Sequence, residues 1–329
     1  MAVTLRDYCS EPISRTCAPS SALVLPTRLV GIEIEMENYP NFPAPHDPLA
    51  NNIKEYWSIK TDGSLRNRGK EFVSTPLLGE DILSAIKVLD GTVRKYNVEG
   101  KSCTFGVRTS VHIHVDVRDL TIKELRSVIL MYIILERFIY TSVFPLRESN
   151  VFCNPLYSLD DKVFPMKDIV KLCAVHPDSG PATPSAAFAR ILQSIPRYLG
   201  FNLQAITKFS TIEFRHCVGT TSPHILINWI NIILGIINAK QITADDFAAV
   251  AVTPSTVEDL VTAAYGEEHA HLIREYPNYY KQLLTGVADL QEIIYTGDVA
   301  AVLPSVPYSE SSYINRRNLL RTGTGADRP

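Results

Sequence analysis

The segment VRTSVHIHVDVR, residues 107–118, alternates apolar and polar side chains, and its pattern decides the fold class. Its valines and isoleucine occupy one set of alternate positions, and Ser110, His112, His114 and Asp116 occupy the other. A period of two predicts a β-strand with one apolar face and one polar face. The two histidines are therefore expected to lie on the same face of that strand.

Other segments predict further strands: residues 29–38 and 211–215 alternate in the same way, and residues 70–74 follow a predicted Asp62–Ser64 turn. In the first segment Glu33 and Glu35 share a face, about 6.6 Å apart along the strand. In the last segment Glu213 and Arg215 share a face. Each pattern alone is also typical of a solvated surface or a cross-strand salt bridge. Three strands with such residues at alternate positions favour a functional polar face.

The helix signals complete the fold class. Helices are predicted at residues 81–96, 121–140 and 223–239, of which the last two are expected to be buried, and a shorter helix is predicted at residues 255–264. Thr121 and Glu124 have the spacing of a capping box, and Glu258 occupies the equivalent position in the shorter helix. Strands with one apolar face require a helical layer behind them. The sequence therefore predicts an α+β fold with a polar sheet face left open.

Composition excludes several classes of protein. The chain has 329 residues and a net charge of −3, which argues against binding nucleic acid by bulk electrostatics. The longest apolar run, Val128–Leu135, is shorter than the roughly 20 residues needed to cross a bilayer. The N-terminus has no apolar leader, so a cytoplasmic protein is expected. The predicted organisation is an N-terminal arm at 1–27, one catalytic domain at 28–308 and a polar tail at 309–329.

The candidate site residues indicate the kind of ion that could bind. Carboxylates with one or two imidazoles and no thiolate suit Mg²⁺ or Mn²⁺. An arginine beside such carboxylates is what phosphoryl chemistry requires. The chain has no phosphate-binding GxxxxGK[ST] motif and no GxGxxG motif after a strand. A nucleotide would therefore bind through metal ions and side chains on a sheet.

Five blocks of the sequence resemble the amidoligase family, whose members are carboxylate–amine ligases related to glutamine synthetase and glutamate–cysteine ligase. The blocks are GIEIEMEN (31–38), DGSLRNRGKEFVSTPL (62–77), VHIHVD (111–116), RYLGFNLQAI (197–206) and TIEFRHCVGT (211–220). The resemblance implies a glutamine-synthetase-like fold, with a curved, largely antiparallel sheet, helices behind it and the active site on the concave face. It also implies ATP and Mg²⁺ or Mn²⁺ as cofactors.

The resemblance implies a role for each matching residue. His114 would reach the nucleotide phosphates or the acyl substrate, and Arg215 would hold the transferred phosphoryl group. Arg197 and Asn202 would shape the substrate side. Glu213 would act in catalysis as well as in metal binding. The implied metal ligands are Glu33, Glu35, Glu71, His112 and Glu213.

The expected activity is ATP-dependent formation of an amide or isopeptide bond through an acyl phosphate. The expected partners are an amino-acid or peptide carboxylate and an amine acceptor, and a homo-oligomer is compatible with the chain. The family usually has a Cys-Gly pair before its HxH motif, whereas residues 108–111 are RTSV. This departure motivates a first alternative, an inactive binding or structural protein on the same fold. A second alternative is a metallohydrolase that uses His112, His114 and Asp116.

Overall fold

The computed structural model describes residues 4–8, 17–39, 48–97, 103–144, 147–158 and 186–296. Within them the chain forms one antiparallel sheet whose six strands lie in the order β2-β3-β1-β4-β6-β5. The strands are β1 (Val30–Met36), β2 (Trp57–Lys60), β3 (Lys70–Ser74), β4 (Ser110–Asp116), β5 (Phe201–Asn202) and β6 (Thr211–Val218). The α+β prediction is confirmed.

The described helices lie between and after the strands. They are α1 (Pro48–Tyr56), α2 (Glu80–Asn97), α3 (Ile122–Phe138), α4 (Ala186–Ser194), α5 (Ala205–Phe209), α6 (Pro223–Asn238), α7 (Ala244–Val252), α8 (Val257–His269), α9 (His271–Arg274) and α10 (Tyr279–Thr296). A π-helical turn at Ile139–Val143 continues α3. Among the described residues no single helix is long and apolar enough to span a bilayer, although the pair Pro223–Gln241 and Ala244–Val252, bent by 105°, has the combined length and composition.

The apolar face of the sheet packs on α3 and α6, as the alternation predicted. Tyr132 of α3 stacks on Phe201 of β5 with ring centroids 4.1 Å apart. Trp229 of α6 meets the ring of His216 from β6 edge to face. Because strand residues alternate between faces, this packing leaves the odd-numbered residues of β1, the even-numbered residues of β4 and, before the register shift in β6, Glu213 and Arg215 on the opposite side of the sheet.

Local sequence signals explain where the helices begin. Thr121 accepts a hydrogen bond from the Glu124 amide and Glu124 reaches back to the Thr121 amide, so the predicted capping box is confirmed. The capping box predicted with Glu258 is wrong. The chain forms a 3₁₀ turn at Pro254–Thr256 before α8, and Glu258 instead accepts a hydrogen bond from the Tyr279 hydroxyl.

The described part of the predicted 1–27 arm contacts the domain body. Leu5 is fully buried, and its amide donates to the Leu120 carbonyl at 2.7 Å. The thiol of Cys17 donates to the Leu78 carbonyl at 2.8 Å. These contacts join the beginning of the chain to the end of β4 and to the loop before α2. The predicted tail at 309–329 lies outside the described residues.

Candidate active site

Strand register brings the predicted site residues together on the polar face of the sheet. Glu33 of β1 lies opposite His112 of β4, and His114 of β4 lies opposite Glu213 of β6. Directly opposed residues on antiparallel strands have Cβ atoms about 4.5–5.5 Å apart. Acidic and imidazole side chains from neighbouring strands therefore lie close together because of the strand register alone.

One carboxylate–imidazole group lies at the centre of the site. Ligand atoms of Glu33, His112 and Glu213 all lie within 4.8 Å of one another. His112 Nδ1 is 3.2 Å from Glu33 Oε2 and 3.5 Å from Glu213 Oε1. His114 borders this group, with its Nε2 3.6 Å from Glu33 Oε1. We call Glu33, His112 and Glu213 the central cluster.

A second group shares His112 and extends toward β3. Ligand atoms of Glu35, Glu71 and His112 also lie within 4.8 Å of one another. Glu35 and Glu71 are opposed in the β1–β3 register. Ser110 Oγ donates to Glu35 Oε2 at 2.6 Å and lies 2.9 Å from His112 Nε2, so it links the two ligand types. We call Glu35, Glu71 and His112 the β3-side cluster.

The electrostatics of the β3-side cluster indicate a shortage of positive charge. Burial, together with the negative charges of Glu33, Asp62 and Glu35, raises the pKa of Glu71 to about 7. Like charges directly opposed on neighbouring strands destabilise a sheet. A divalent cation between the carboxylates would supply the missing charge, and the oxygen and imidazole donors suit Mg²⁺ or Mn²⁺.

In the central cluster, by contrast, imidazole and guanidinium groups lie close enough to the carboxylates to compensate their negative charge. Burial acts to raise the pKa of Glu33, but hydrogen bonds to His112 and His114 outweigh it and hold that pKa well below its usual range. Burial also opposes ionisation of Glu213, yet the charges of its imidazole and guanidinium neighbours lower its pKa. Burial acts to lower the pKa of His114, but Glu33 and Glu213 raise it. Both acids are therefore held as carboxylates.

Arg215 and Asn202 hold Glu213 from opposite sides. The Asn202 amide donates to Glu213 Oε2 at 2.6 Å, and Arg215 Nη1 donates to Glu213 Oε1. Arg215 Nε donates to the Phe152 carbonyl at 2.9 Å, so the guanidinium is oriented by a loop as well as by its own strand. The cross-strand salt bridge that the sequence left open is instead an ion pair within β6.

The predicted residues all line one cavity of about 520 Å³ on the polar face. Arg197 lies on its wall, stacked over the ring of Tyr198. The nine predicted residues in the lining are Glu33, Glu35, Glu71, His112, His114, Arg197, Asn202, Glu213 and Arg215. Their convergence brings the ligand set and the arginine into one space large enough for a nucleotide-sized ligand.

Sequence reasoning missed several other residues in the cavity lining. Asp62 was interpreted only as part of a turn, although its charge acts on Glu71. Ser110 belongs to the alternating segment, so its face was predictable but its bond to Glu35 was not. Arg147 and Asn150 come from a loop with no motif. Only the fold brings that loop to the sheet.

The structure separates the residues of the metallohydrolase alternative. His216, which also lies on a strand of the sheet, is fully buried against Tyr132 and Trp229 on the helical side. Asp116 is paired with Arg118 at 2.7 Å. In the described part of the chain, neither Asp116 nor His216 belongs to a group of possible metal ligands. The geometry therefore favours carboxylate-rich ligation over a histidine-rich hydrolase centre.

Comparison with known protein families identifies the family of this chain. A family model described as "Putative amidoligase enzyme" matches residues 46–237. No curated protein matches the chain. The matched region contains Glu71, His112, His114, Glu213 and Arg215, whereas β1 with Glu33 and Glu35 precedes it. The match spans more than half of the chain, and the chain therefore belongs to the amidoligase family.

Proposed function

We propose that the protein is an ATP-dependent carboxylate–amine ligase on a glutamine-synthetase-like sheet. One observation carries this proposal: two carboxylate–imidazole clusters share His112 and lie beside Arg215 in a single cavity of about 520 Å³. Two adjacent cation sites next to a guanidinium are suited to binding and polarising a polyphosphate, and His112 would be a ligand in one of them only, because a neutral imidazole has a single free nitrogen lone pair. Family membership supports a ligase, and the cluster geometry supports the nucleotide.

The proposed reaction has two steps. An oxygen of the acyl substrate's carboxylate attacks the γ-phosphorus of ATP, and ADP leaves. The amine nitrogen then attacks the acyl carbon, phosphate leaves, and the amine gives up a proton as the amide forms. Holding the reactants in line contributes about 7–11 kcal/mol to such steps. The cavity walls and the two clusters would provide this alignment.

Individual side chains have distinct roles in this proposal. Glu33, Glu35, Glu71, His112 and Glu213 would hold Mg²⁺ or Mn²⁺, which when bound neutralises phosphate oxygens. Arg215, oriented by Glu213 and by the Phe152 carbonyl, would contact the transferred phosphoryl group. His114, whose Nδ1 lies 2.9 Å from Thr211 Oγ1, would present Nε2 toward the phosphates or the acyl group. Asn202 would keep Glu213 in place.

Nucleotide turnover tests the proposal directly. The purified protein is incubated with ATP, Mg²⁺, an amine mixture and pools of amino acids or peptides, and ADP is measured. We expect ADP formation that depends on both the carboxylate pool and the cation. The variant Arg215→Lys keeps the charge but loses the planar fork, and should reduce ADP formation about 100-fold.

The control variant is Arg94→Lys, which changes an exposed arginine on α2 in the same way. It should keep full turnover. Absence of ADP across a broad panel of carboxylates and amines would contradict the ligase. If calorimetry then also detected no Mg²⁺-dependent ATP binding, the inactive binding or structural protein would become the better description.

A further inference from the structure

Arg147 is a buried cation on the wall of the cavity. Its side chain is 3% exposed and lines the cavity beside Asn150 and Phe152. Its Nη2 donates to the Arg215 carbonyl at 3.0 Å. Its Nε has no hydrogen-bond partner, and among the described residues no carboxylate pairs with it.

A buried guanidinium without an anion is costly, because desolvation is not compensated. Two other arginines of this fold have such a partner, whereas buried Arg126 has none among the described residues. Arg118 pairs with Asp116 at 2.7 Å, and Arg137 pairs with Asp289 at 2.7 Å. Arg147 faces a cavity where a protein carboxylate could have been placed, so the missing anion is expected from a ligand.

A continuous series of contacts joins Arg147 to a second arginine. Arg215 Nε donates to the carbonyl of Phe152, whose ring lies 5.3 Å from that of Tyr198. Arg197 lies over the Tyr198 ring at 4.7 Å and donates to its hydroxyl. We call Arg147, Phe152, Arg197 and Tyr198 the cationic wall. The acids of both clusters lie on β1, β3 and β6, so the cavity has a negative floor and a positive side.

We propose that the cationic wall binds a second carboxylate of the acyl substrate, separate from the carboxylate that is activated. The substrate class is then a dicarboxylic acid, either free or as the acidic end of a peptide. This inference rests on the proposed ligase function. Planar guanidinium groups match carboxylates, and the two aromatic rings suit the methylene groups between the two acids. In the proposed function the two clusters and Arg215 bind the nucleotide phosphates, so the cationic wall is left to bind the substrate.

Calorimetry on the full chain without nucleotide tests the proposal. The probes are succinate, glutarate and adipate, each compared with its half-amide, which keeps the shape and loses one charge. We expect at least one diacid to bind about tenfold or more tightly than its half-amide. The variant Arg147→Met should abolish this preference while leaving the affinity for the half-amide unchanged. The variant Arg94→Met, which removes the same charge from exposed α2, should keep the preference.

Other results would overturn the proposal. Equal affinities for all diacids and half-amides in the unmodified protein would exclude a second carboxylate site. A preference that survives in Arg147→Met, combined with weaker binding of a non-hydrolysable ATP analogue, would show that the wall binds phosphate. If Arg147→Met does not fold, Arg197→Met tests the same wall and should reduce the preference at least about threefold. A diacid preference without ADP formation would reject the ligase but keep this site.

Discussion

Single hydrogen bonds decide how the ligand set is oriented. Ser110 contacts Glu35 through both its amide and its hydroxyl, at 2.8 and 2.6 Å, and its hydroxyl also lies 2.9 Å from His112 Nε2. His112 Nδ1 faces Glu33 at 3.2 Å. The two ring nitrogens therefore face different neighbours, Nδ1 the central cluster and Nε2 the Ser110 hydroxyl beside Glu35. Partners of this kind usually set the orientation of metal-binding imidazoles.

The substitution Glu35→Gln tests the β3-side cluster. Glutamine keeps the shape and can still contact Ser110, but a neutral amide is a poor ligand for a hard divalent cation. Glu35 lies on the polar face and is 5% exposed, so no core volume is lost. We expect metal-dependent ADP formation to fall more than about 100-fold, beyond the loss typical of residues that only support a ligand. ADP release and thermal melting are measured together.

The matched control is Glu37→Gln, two residues further along, where the carboxylate accepts a hydrogen bond from the Arg66 amide outside both clusters. It should keep turnover. The competing interpretation treats the glutamates of this segment as mutually repelling surface charges. It predicts that Glu35→Gln melts at a higher temperature and keeps full activity, and that result would reject the metal assignment of β1.

Among the secondary-structure elements, the sequence best predicted the strands in which apolar and polar residues alternate clearly. The strand predicted at residues 70–74 has the bounds of β3, the first two alternating segments contain β1 and β4, and the segment at 211–215 covers only the first five residues of β6. Strands β2 and β5, of 4 and 2 residues, are too short for periodicity to distinguish them from loops. Their positions depend on pairing with longer neighbours, which a local pattern does not contain.

A loop element illustrates the same limit. The 147–158 segment supplies Arg147 and the Phe152 carbonyl to the site, yet its sequence has no periodicity. Glu136 of the buried helix α3 fastens this segment, accepting hydrogen bonds from the amides of Leu156 at 2.6 Å and Tyr157 at 3.1 Å. Sequence alone predicted the helix but gave no reason for a buried acid within it. The reason is this tertiary contact.

Glu136 gives a pH-dependent prediction for folding stability. Burial raises its pKa to about 8, whereas the unfolded chain has the ordinary value of 4.5. Between these values the folded state binds the extra proton, so its contribution to stability falls as pH rises, by up to about 1.4 kcal/mol per pH unit. The variant Glu136→Gln has no such titration. Urea unfolding from pH 5 to 8.5 should show the variant gaining stability relative to the unmodified protein as pH rises.

The comparison uses Glu148→Gln, an exposed acid of the same segment whose carboxylate accepts a hydrogen bond from the Tyr157 hydroxyl. Each variant's free energy of unfolding is compared with that of the unmodified protein at the same pH, so the titration of all other groups cancels in the difference. A difference for Glu136→Gln that stays constant from pH 5 to 8.5 would mean that Glu136 does not titrate in this range. The assignment of a buried, protonated carboxyl would then be wrong.

For the whole molecule, the predicted ligand set comes from four strands that are widely separated in sequence. Glu33 and Glu35 lie on β1, Glu71 on β3, His112 on β4 and Glu213 on β6. The three pairs of neighbouring strands, β3–β1, β1–β4 and β4–β6, bring them together. Faces were predictable from alternation, but strand order was not, because pairing partners depend on the whole sheet. A cation bound in either cluster would contact three of these strands.

Cation binding should therefore raise the stability of the entire fold. An ion that binds only the folded chain adds about 2.7 kcal/mol when its concentration is 100 times its Kd. Melting is followed in MgCl₂ or MnCl₂ and in NaCl at the same ionic strength, because salt alone also screens the crowded carboxylates. We expect a larger upward shift of Tm with the divalent ions than with NaCl, and a smaller divalent-specific shift in Glu71→Gln, which removes a ligand from the β3-side cluster and leaves the central cluster intact. Equal shifts in both salts would show that screening explains the effect, and would remove the physical basis for assigning a metal to these strands.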